Sequence, residues 1–476
     1  MYVLGMFSVS VIQCSKKAGQ KLSLQGFVRS FSANITASKS IQISGKNYEV
    51  SDKTNVTDSI LNLTDRAVYL KPTHPVGILR NVIEEKLNGT DSSFKIYNDF
   101  KPVVTVHENF DSLGFPEDHP GRSKSDTYYV NDSHLLRTHT SAHELECFKN
   151  IDGFVPGHKG ITEKPGFLIS ADVYRRDEID RTHYPVFHQM EGCRVWKREP
   201  GNGHLEKIKT DLARLEKTLA DDPVKLIVED NVSLEGNPKQ DYMSMEEVDL
   251  CSRHLKRSLE LVVLEVFKRK LQSMGNAEGE ELKVRWIQAY FPWTAPSWEI
   301  EVFWQNDWLE LCGCGLVRED VLLKAGYEKD QSIGWAFGLG LDRIAMLLFE
   351  IPDIRLFWTQ DERFHSQFKA GTINKFKPYS KYPGTIRDVA FWLPEDKTIE
   401  IIHENDLMEI VRNVAGDLVE SVKLIDSFTH PKTGKKSLCY RINYQSMDRN
   451  VTNEEVNKLQ ESVRDTLVKL YSVKLR

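Results

Sequence analysis

The sequence predicts an α+β fold, an antiparallel sheet flanked by helices, followed by a smaller ferredoxin-like βαββαβ domain. Three observations carry this. Strand-like runs at residues 282–290, 298–304 and 308–317 follow one another with connections too short for a parallel crossover, so they pair antiparallel. The last two are separated only by Gln305-Asn306-Asp307, a hairpin-like turn. From Phe376 the pattern changes, reading strand (388–393), helix (405–414), strand (420–428), strand (436–444), helix (453–468) and short strand (471–475), the split unit of an independent domain.

Composition bounds the rest. The chain has 476 residues, 28% charged and 40% hydrophobic, long enough for two or three domains. A net charge of -6 excludes nonspecific coating of nucleic acid but leaves room for a local basic surface. Seven scattered cysteines do not form a disulfide framework. No apolar run approaches the roughly 20 residues of a membrane helix. From Met1 to Tyr48 there is no acidic residue, while Lys16, Lys17, Lys21, Arg29, Lys39 and Lys46 are present. That acid-poor, Ser-rich composition matches a mitochondrial transit peptide. The expected domains are a leader at 1–45, a catalytic domain at 46–365, a linker at 366–377 and the tail domain at 378–476.

Taken in order, residues 52–89 have a helical pattern with Ile78, Leu79, Val82, Ile83 and Leu87 on one stripe. Residues 97–106 read as a strand interrupted at Pro102. Turn formers dominate 115–129 and mark a loop able to cover a site, and 153–166 is a second Gly/Pro-rich loop. Residues 199–240 are polar and read as a surface excursion. Ser244 and Glu247 form a capping box ahead of a helix with Val248, Leu255, Leu259, Val262, Val263 and Val266 on its apolar side. Its Lys268-Arg269-Lys270 run reads as a solvated last turn that complements the helix dipole. After the three strands, 335–349 reads as a strongly apolar helix.

Chemistry concentrates in 172–192, DVYRRDEIDRTHYPVFHQMEG. Adjacent arginines suit a triphosphate, because a guanidinium fork grips phosphate oxygens bidentately. A phenyl face offers adenine a stacking surface, and Gln with Glu can hold an ammonium group. Nucleotide and amine gathered on one hairpin point to activation of a carboxylate by ATP. That in-line substitution requires neutralised phosphate oxygens, aligned partners and a metal on the leaving pyrophosphate. Arg175 is the candidate for the α-phosphate; Arg176 faces the other way if the strand alternates. Arg343 follows Gly338-Leu339-Gly340-Leu341-Asp342, whose glycines let the backbone approach a ligand. This is not a dinucleotide fingerprint: the third glycine is missing and the preceding strands are antiparallel.

Strict alternation puts Glu310 on one face with Cys312 and Cys314. A carboxylate on a sheet floor can hold Mg²⁺ against phosphates, although alone Glu310 reads equally as an exposed strand position. Cys312-Gly-Cys314 is too little for a thiolate metal site and reads as packing. In RTHTSAHE, His139 and His143 have the spacing of a zinc pair, but the HExxH order is absent and no third ligand follows. Its hydroxyl and imidazole groups read as contacts to an amino acid, compatible with a helix N-cap at Thr140 or Ser141.

Residues 174–192, GWAFGLGLDR and 137–141 resemble phenylalanyl-tRNA synthetase, a class II aminoacyl-tRNA synthetase. The likeness extends through YFPWTAPSWEIEV, WLELCGCG, IPDIRLFW and KYPGTIRDVAFWLP, from about residue 71 to the C-terminus, in a single-chain layout similar to the mitochondrial form. It implies a class II catalytic domain that attaches L-phenylalanine to tRNA(Phe) through phenylalanyl-adenylate, with ATP as substrate and Mg²⁺ as cofactor. The implied setting is the mitochondrial matrix, as a monomer with no second subunit.

Residue by residue, the resemblance implies Arg175 on the α-phosphate, Thr182, His183 and Tyr184 in an ATP-facing loop, and Phe187 against adenine. Gln189 and Glu191, with Met190 between them, match the residues that hold the amino group. His139, Ser141, Ala142, His143 and Glu144 lie where the family contacts substrate. Glu310 matches an ATP and metal contact and Arg343 the third-motif arginine, so catalysis is assigned to Arg175, Arg343 and Glu310. Phe291, Trp293, Ala336 and Phe337 line up with the walls and floor of the side-chain pocket, Trp293 standing where the family has phenylalanine. An apolar pocket discriminates weakly against an added hydroxyl, and the chain has no room for an editing domain, so tyrosine activation is expected. The tail resembles an anticodon-binding domain, with Lys432, Lys435, Lys436 and Arg441 as candidate phosphate contacts or a solvated hairpin tip. A non-catalytic tRNA-binding relative would be expected to lack a phosphate arginine or the metal carboxylate; both are present.

Overall fold

The computed structural model describes residues 40–275, 279–378, 382–394 and 402–476. The expected leader therefore lies outside the described residues as far as position 39, and residues 40–45 belong to a hairpin of β1 (Ser40–Ile43) and β2 (Lys46–Glu49). Next come α1 (Asp58–Leu61) and α2 (Pro75–Asp91), then β3 (Phe94–Tyr97), β4 (Val103–Thr105) and β5 (His134–Leu136). α2 starts at Pro75 because proline is tolerated at the first helical position, with His74 accepting from the Val76 amide. Its stripe from Ile78 to Leu87 is buried as read.

The chain continues with α3 (Glu144–Lys149), β6 (Gly166–Tyr174), β7 (Val186–Lys197), α4 (Gly203–Ala220), β8 (Lys225–Asp230) and α5 (Met245–Ser273). β9 (Glu281–Phe291), β10 (Thr294–Trp304) and β11 (Asp307–Val317) form the expected meander, followed by α6 (Glu319–Lys324), β12 (Ser332–Gly340), α7 (Leu341–Phe349) and α8 (Glu362–His365). The tail comprises β13 (Thr385–Trp392), α9 (Glu404–Ala415), β14 (Val419–Thr429), β15 (Lys436–Tyr444), α10 (Asn453–Tyr471) and β16 (Lys474–Leu475).

One eight-stranded sheet, in the order β3-β6-β7-β12-β11-β10-β9-β8, organises the main domain. Its inner pairs are antiparallel, but the edge pairs β3–β6 and β8–β9 are parallel, so the sheet is mixed. The long connections before β6 and β9, the second containing α5, allow those parallel edges. α5 opens with the full capping box of Ser244 and Glu247.

Three readings need correction. Residues 335–349 are not one helix: β12 runs to Gly340 and α7 begins at Leu341. In Trp335–Gly340 large and small residues alternate, which is a strand period, and the glycines disfavour helix. Residues 199–240 are not a mere excursion, since α4 packs on α5 through Leu205, Ile208, Leu212 and Leu215 and β8 closes one sheet edge. The end of α5 is not a solvated turn either: Lys268 pairs with Asp222, just after α4, at 2.6 Å, and Lys270, 1% exposed, pairs with Glu350 after α7 at 2.9 Å.

The tail sheet has the order β14-β15-β13-β16, the ferredoxin-like arrangement, with α9 and α10 packed on it. Within the expected linker at 366–377, Phe368, Ile373 and Phe376 are buried in the main core. The tail docks on residues 176–184. Ile179 inserts into its apolar core and accepts from the Val422 amide at 3.0 Å. Glu409, 1% exposed, accepts from Arg412 at 2.5 Å and from the Tyr128 hydroxyl at 2.9 Å.

Candidate active site

The site is built on one face of β7 and its neighbours. Side chains alternate along a strand, so Phe187, Gln189, Glu191 and Cys193 share a face. Across the register, Gln189, Glu191 and Cys193 meet Gly340, Gly338 and Ala336 of β12. Gly338 and Ala336 in turn meet Gly313 and Gly315 of β11. The floor is thus almost bare of side chains, which leaves space above it. A crevice over this floor is lined by Gln189, Glu310, Gly313, Gly338, Gly340 and Arg343.

Glu310 reaches this face through a bulge. Ile300 pairs with Cys312 but Glu301 pairs with Glu310, so Leu311 is an extra residue. The bulge reverses the alternation, and Glu310 does not share a face with Cys312 and Cys314 as expected. The cysteines pair with Ile300 and Trp298 in the buried core, while Glu310 stands opposite Glu301. Burial raises the Glu310 carboxyl above its ordinary value, and Arg343 pulls it back. Glu299, which sequence reasoning missed, is pushed up to about 7 by burial and by Glu310 and Glu301. Its alternation with Glu301 in WEIEV was the available signal.

Arg175 follows β6. Its Nε donates to the Thr138 carbonyl at 2.9 Å, and its guanidinium lies 5.2 Å above the Phe187 ring. Burial pulls Arg175 down from its ordinary value and Asp177 opposes this, but a guanidinium keeps its charge. Arg176 points the other way, to the Lys124 carbonyl and to Asp406 of the tail at 3.1 Å. The two neighbouring arginines therefore have different duties, one at the site and one at the domain junction.

At the amino-acid end, the Ser141 hydroxyl donates to Glu191 Oε1 at 2.6 Å and the Thr140 amide to Gln189 Oε1 at 3.3 Å. Glu144 is 3% exposed beside this pair. His139 is brought down to about 3 by burial and Arg175, against the pull of the Asn109 backbone, so it is neutral. Its ring stacks on Phe115 at 5.8 Å, and Trp293 approaches both. Phe115 was not singled out, although the turn-rich loop that carries it was read as a cover. The Phe291 ring lies so close over Gly313 that an alanine Cβ there would be 2.6 Å from it.

Several expected contacts are not brought to this face. Phe337 shares the opposite face of β12 with Trp335 and Leu339, inside the core. Met190 is likewise buried behind β7. Ala142 packs in a small cluster with Val104, Phe110, Tyr129 and Leu135. His143 stacks on Phe100 at 4.0 Å and bonds Arg137 at 2.9 Å, fixed as scaffold. Thr182 and His183 are tied to Asp180, and Tyr184 stacks on Trp358 while its hydroxyl donates to Asp417 of the tail at 2.8 Å. Alternation explains Phe337 and Met190; docking of the tail explains Tyr184. In the tail, Arg441 is bound by Asp388 at 2.9 Å, whereas Lys432, Lys435 and Lys436 are exposed.

Fold and site together define a class II tRNA synthetase core. The family model "tRNA synthetases class II core domain (F)" matches residues 61–228 and 255–368, and "Ferredoxin-fold anticodon binding domain" matches 380–476. A Saccharomyces cerevisiae protein, "Phenylalanine–tRNA ligase, mitochondrial", is 66% identical over 92% of this chain and 95% of its own. The Mus musculus protein of the same name is 40% identical, covering 92% and 89%. An Arabidopsis thaliana "Phenylalanine–tRNA ligase, chloroplastic/mitochondrial" is 42% identical, covering 89% and 82%. The chain belongs to the phenylalanine–tRNA ligase family.

Proposed function

We propose that this chain attaches L-phenylalanine to tRNA(Phe) in mitochondria, in the matrix, as a monomer that activates the amino acid with ATP. The observation that carries the mechanism is the row on β7: Phe187, Gln189 and Glu191 face one way over glycines, with Arg175 at one end and Ser141 at the other. The amino acid's ammonium meets Glu191 and Gln189. Its carboxylate lies toward Arg175, which neutralises the α-phosphate and permits attack by an anion on an anion. Arg343 does the same for the outer phosphates. The attacking carboxylate is already ionised, so activation needs no general base.

A divalent cation fits the carboxylate end of the crevice. Glu310 and Glu299 are hard oxygen donors, raised by burial and by the carboxylates beside them, an environment that a bound cation would relieve. Mg²⁺ held there would screen the leaving pyrophosphate. The phenylalanyl group then passes from the adenylate to a ribose hydroxyl of the terminal adenosine of tRNA, releasing AMP, while the anticodon end meets the tail domain. Phenylalanine-dependent ATP–pyrophosphate exchange tests the reading: wild type exchanges, Arg175→Ala loses both exchange and aminoacylation, and equal activity in the two overturns the mechanism.

A further inference from the structure

Two carboxylates share the amino-acid end of this face without a cation. Glu144 opens α3 and is 3% exposed; among charged groups, Glu191 is the one that acts on it. Oε1 of Glu191 accepts from Ser141 at 2.6 Å, and its Oε2 is buried with no hydrogen-bond partner. Among the described residues, no Lys, Arg or His forms an ion pair with either carboxylate. The nearby guanidiniums have other partners, Arg137 with Asp172 at 2.5 Å and Arg194 with Asp211 at 3.2 Å. Arg175, farther along the face, acts on His139. His139 and His143 are held neutral by burial and by the arginines beside them. Cys147 of α3 and Cys193 of β7 complete the surroundings, their thiols pushed up by burial and by these same carboxylates. Glu146, next on α3, is exposed.

Two carboxyls buried this way cannot both ionise, because neither has a cation to repay its lost hydration. The first turn of α3 favours an anion at Glu144, but more weakly than a second unpaired buried charge is disfavoured. Burial and the Glu191 charge hold Glu144 well above the ordinary carboxylate range. Burial brings Glu191 only to about 7, against the pull of Ser141 and Thr140. The roles therefore separate.

We propose that Glu144 serves the amino-acid site as an uncharged carboxylic acid, so that it and Glu191 together present the substrate ammonium with one negative charge and one neutral carbonyl acceptor. This rests on the reading that the face holds phenylalanine. A pair carrying one charge matches a monocation.

Infrared spectra of the full chain with phenylalanine bound test the charge state. Wild type minus Glu144→Gln shows the C=O band of a protonated carboxyl. Wild type minus Glu191→Gln at a pH above 7 does not. In exchange assays Glu144→Gln, one neutral group for another, raises the KM for phenylalanine by less than about tenfold, whereas Glu191→Gln raises it about 30-fold or more. Absence of the protonated band, or equal KM penalties, overturns the proposal. If Glu144→Gln fails to fold, Glu144→Asp keeps the carboxyl and is expected to shift the band rather than remove it, and an unshifted band overturns the proposal. Wild-type protein without phenylalanine-dependent exchange would instead refute the proposed function, a separate result.

Discussion

Substituting Gly338 separates the working face of the main sheet from its packed face. Gly338 lies between Glu191 on β7 and Gly313 on β11, and a Cβ built there meets no atom within 4 Å. Its φ is not in the left-handed region, so alanine enters without strain and restricts the unfolded chain, a gain of about 0.4–1 kcal/mol. The added methyl, however, stands where phenylalanine and the nucleotide would lie. Gly192 is the control on the other face. There a Cβ would be 2.4 Å from the Phe337 ring and 2.7 Å from Leu168, an overpacking that costs about 1–3 kcal/mol or more. Melting curves and phenylalanine-dependent ATP–pyrophosphate exchange read the two effects. Gly338→Ala melts at or slightly above wild type yet loses about 100-fold in kcat/KM, the scale of a 1 Å misplacement. Gly192→Ala melts lower. Gly338→Ala with wild-type stability and full exchange would show that substrate does not lie on this face.

The other expectations are simpler. Glu191, raised to about 7 by burial, gains a proton as pH falls through that value and then cannot pair with an ammonium. The KM for phenylalanine should therefore rise below neutrality and level off above it; a KM that is flat from about pH 6 to about pH 8 contradicts the assignment. Glu409→Ala strips a buried carboxylate from Arg412 and Tyr128 and should cost about 3 kcal/mol, seen as earlier melting or faster proteolysis between the main and tail domains. Unchanged stability would mean that the network is dispensable. Tyrosine should support exchange above background, since the pocket floor at Ala336 is small and walled by apolar rings; background-level exchange refutes this.

Much of the architecture was legible because its signals are local. The capping box at Ser244 and Glu247, the meander turn at Gln305 and Asn306 and the order of tail elements depend on residues a few positions apart. Alternation foretold that Arg175 and Arg176 would aim differently, although both lie just beyond the end of β6 and the tail domain supplies the partner of Arg176. The same rule failed at Glu310, where one bulged residue reverses the parity of everything before it. It was not applied to Phe337 and Met190, which alternation places behind the sheet. The turn-rich loop announced a cover, but nothing local announced that Phe115 would stack on His139.

By itself, then, the sequence determined the sheet meander, the tail unit and the set of phosphate- and ammonium-seeking groups. Tertiary structure decided which of those groups meet. It turned Tyr184 and Arg176 toward the tail domain, paired Arg441 with Asp388, buried Lys270 against Glu350, and set Glu144 beside Glu191 with no cation. Helix caps and strand periods act over a few residues, whereas the energy of a buried charge depends on partners tens to hundreds of positions away. Only the packed chain brings those partners within reach.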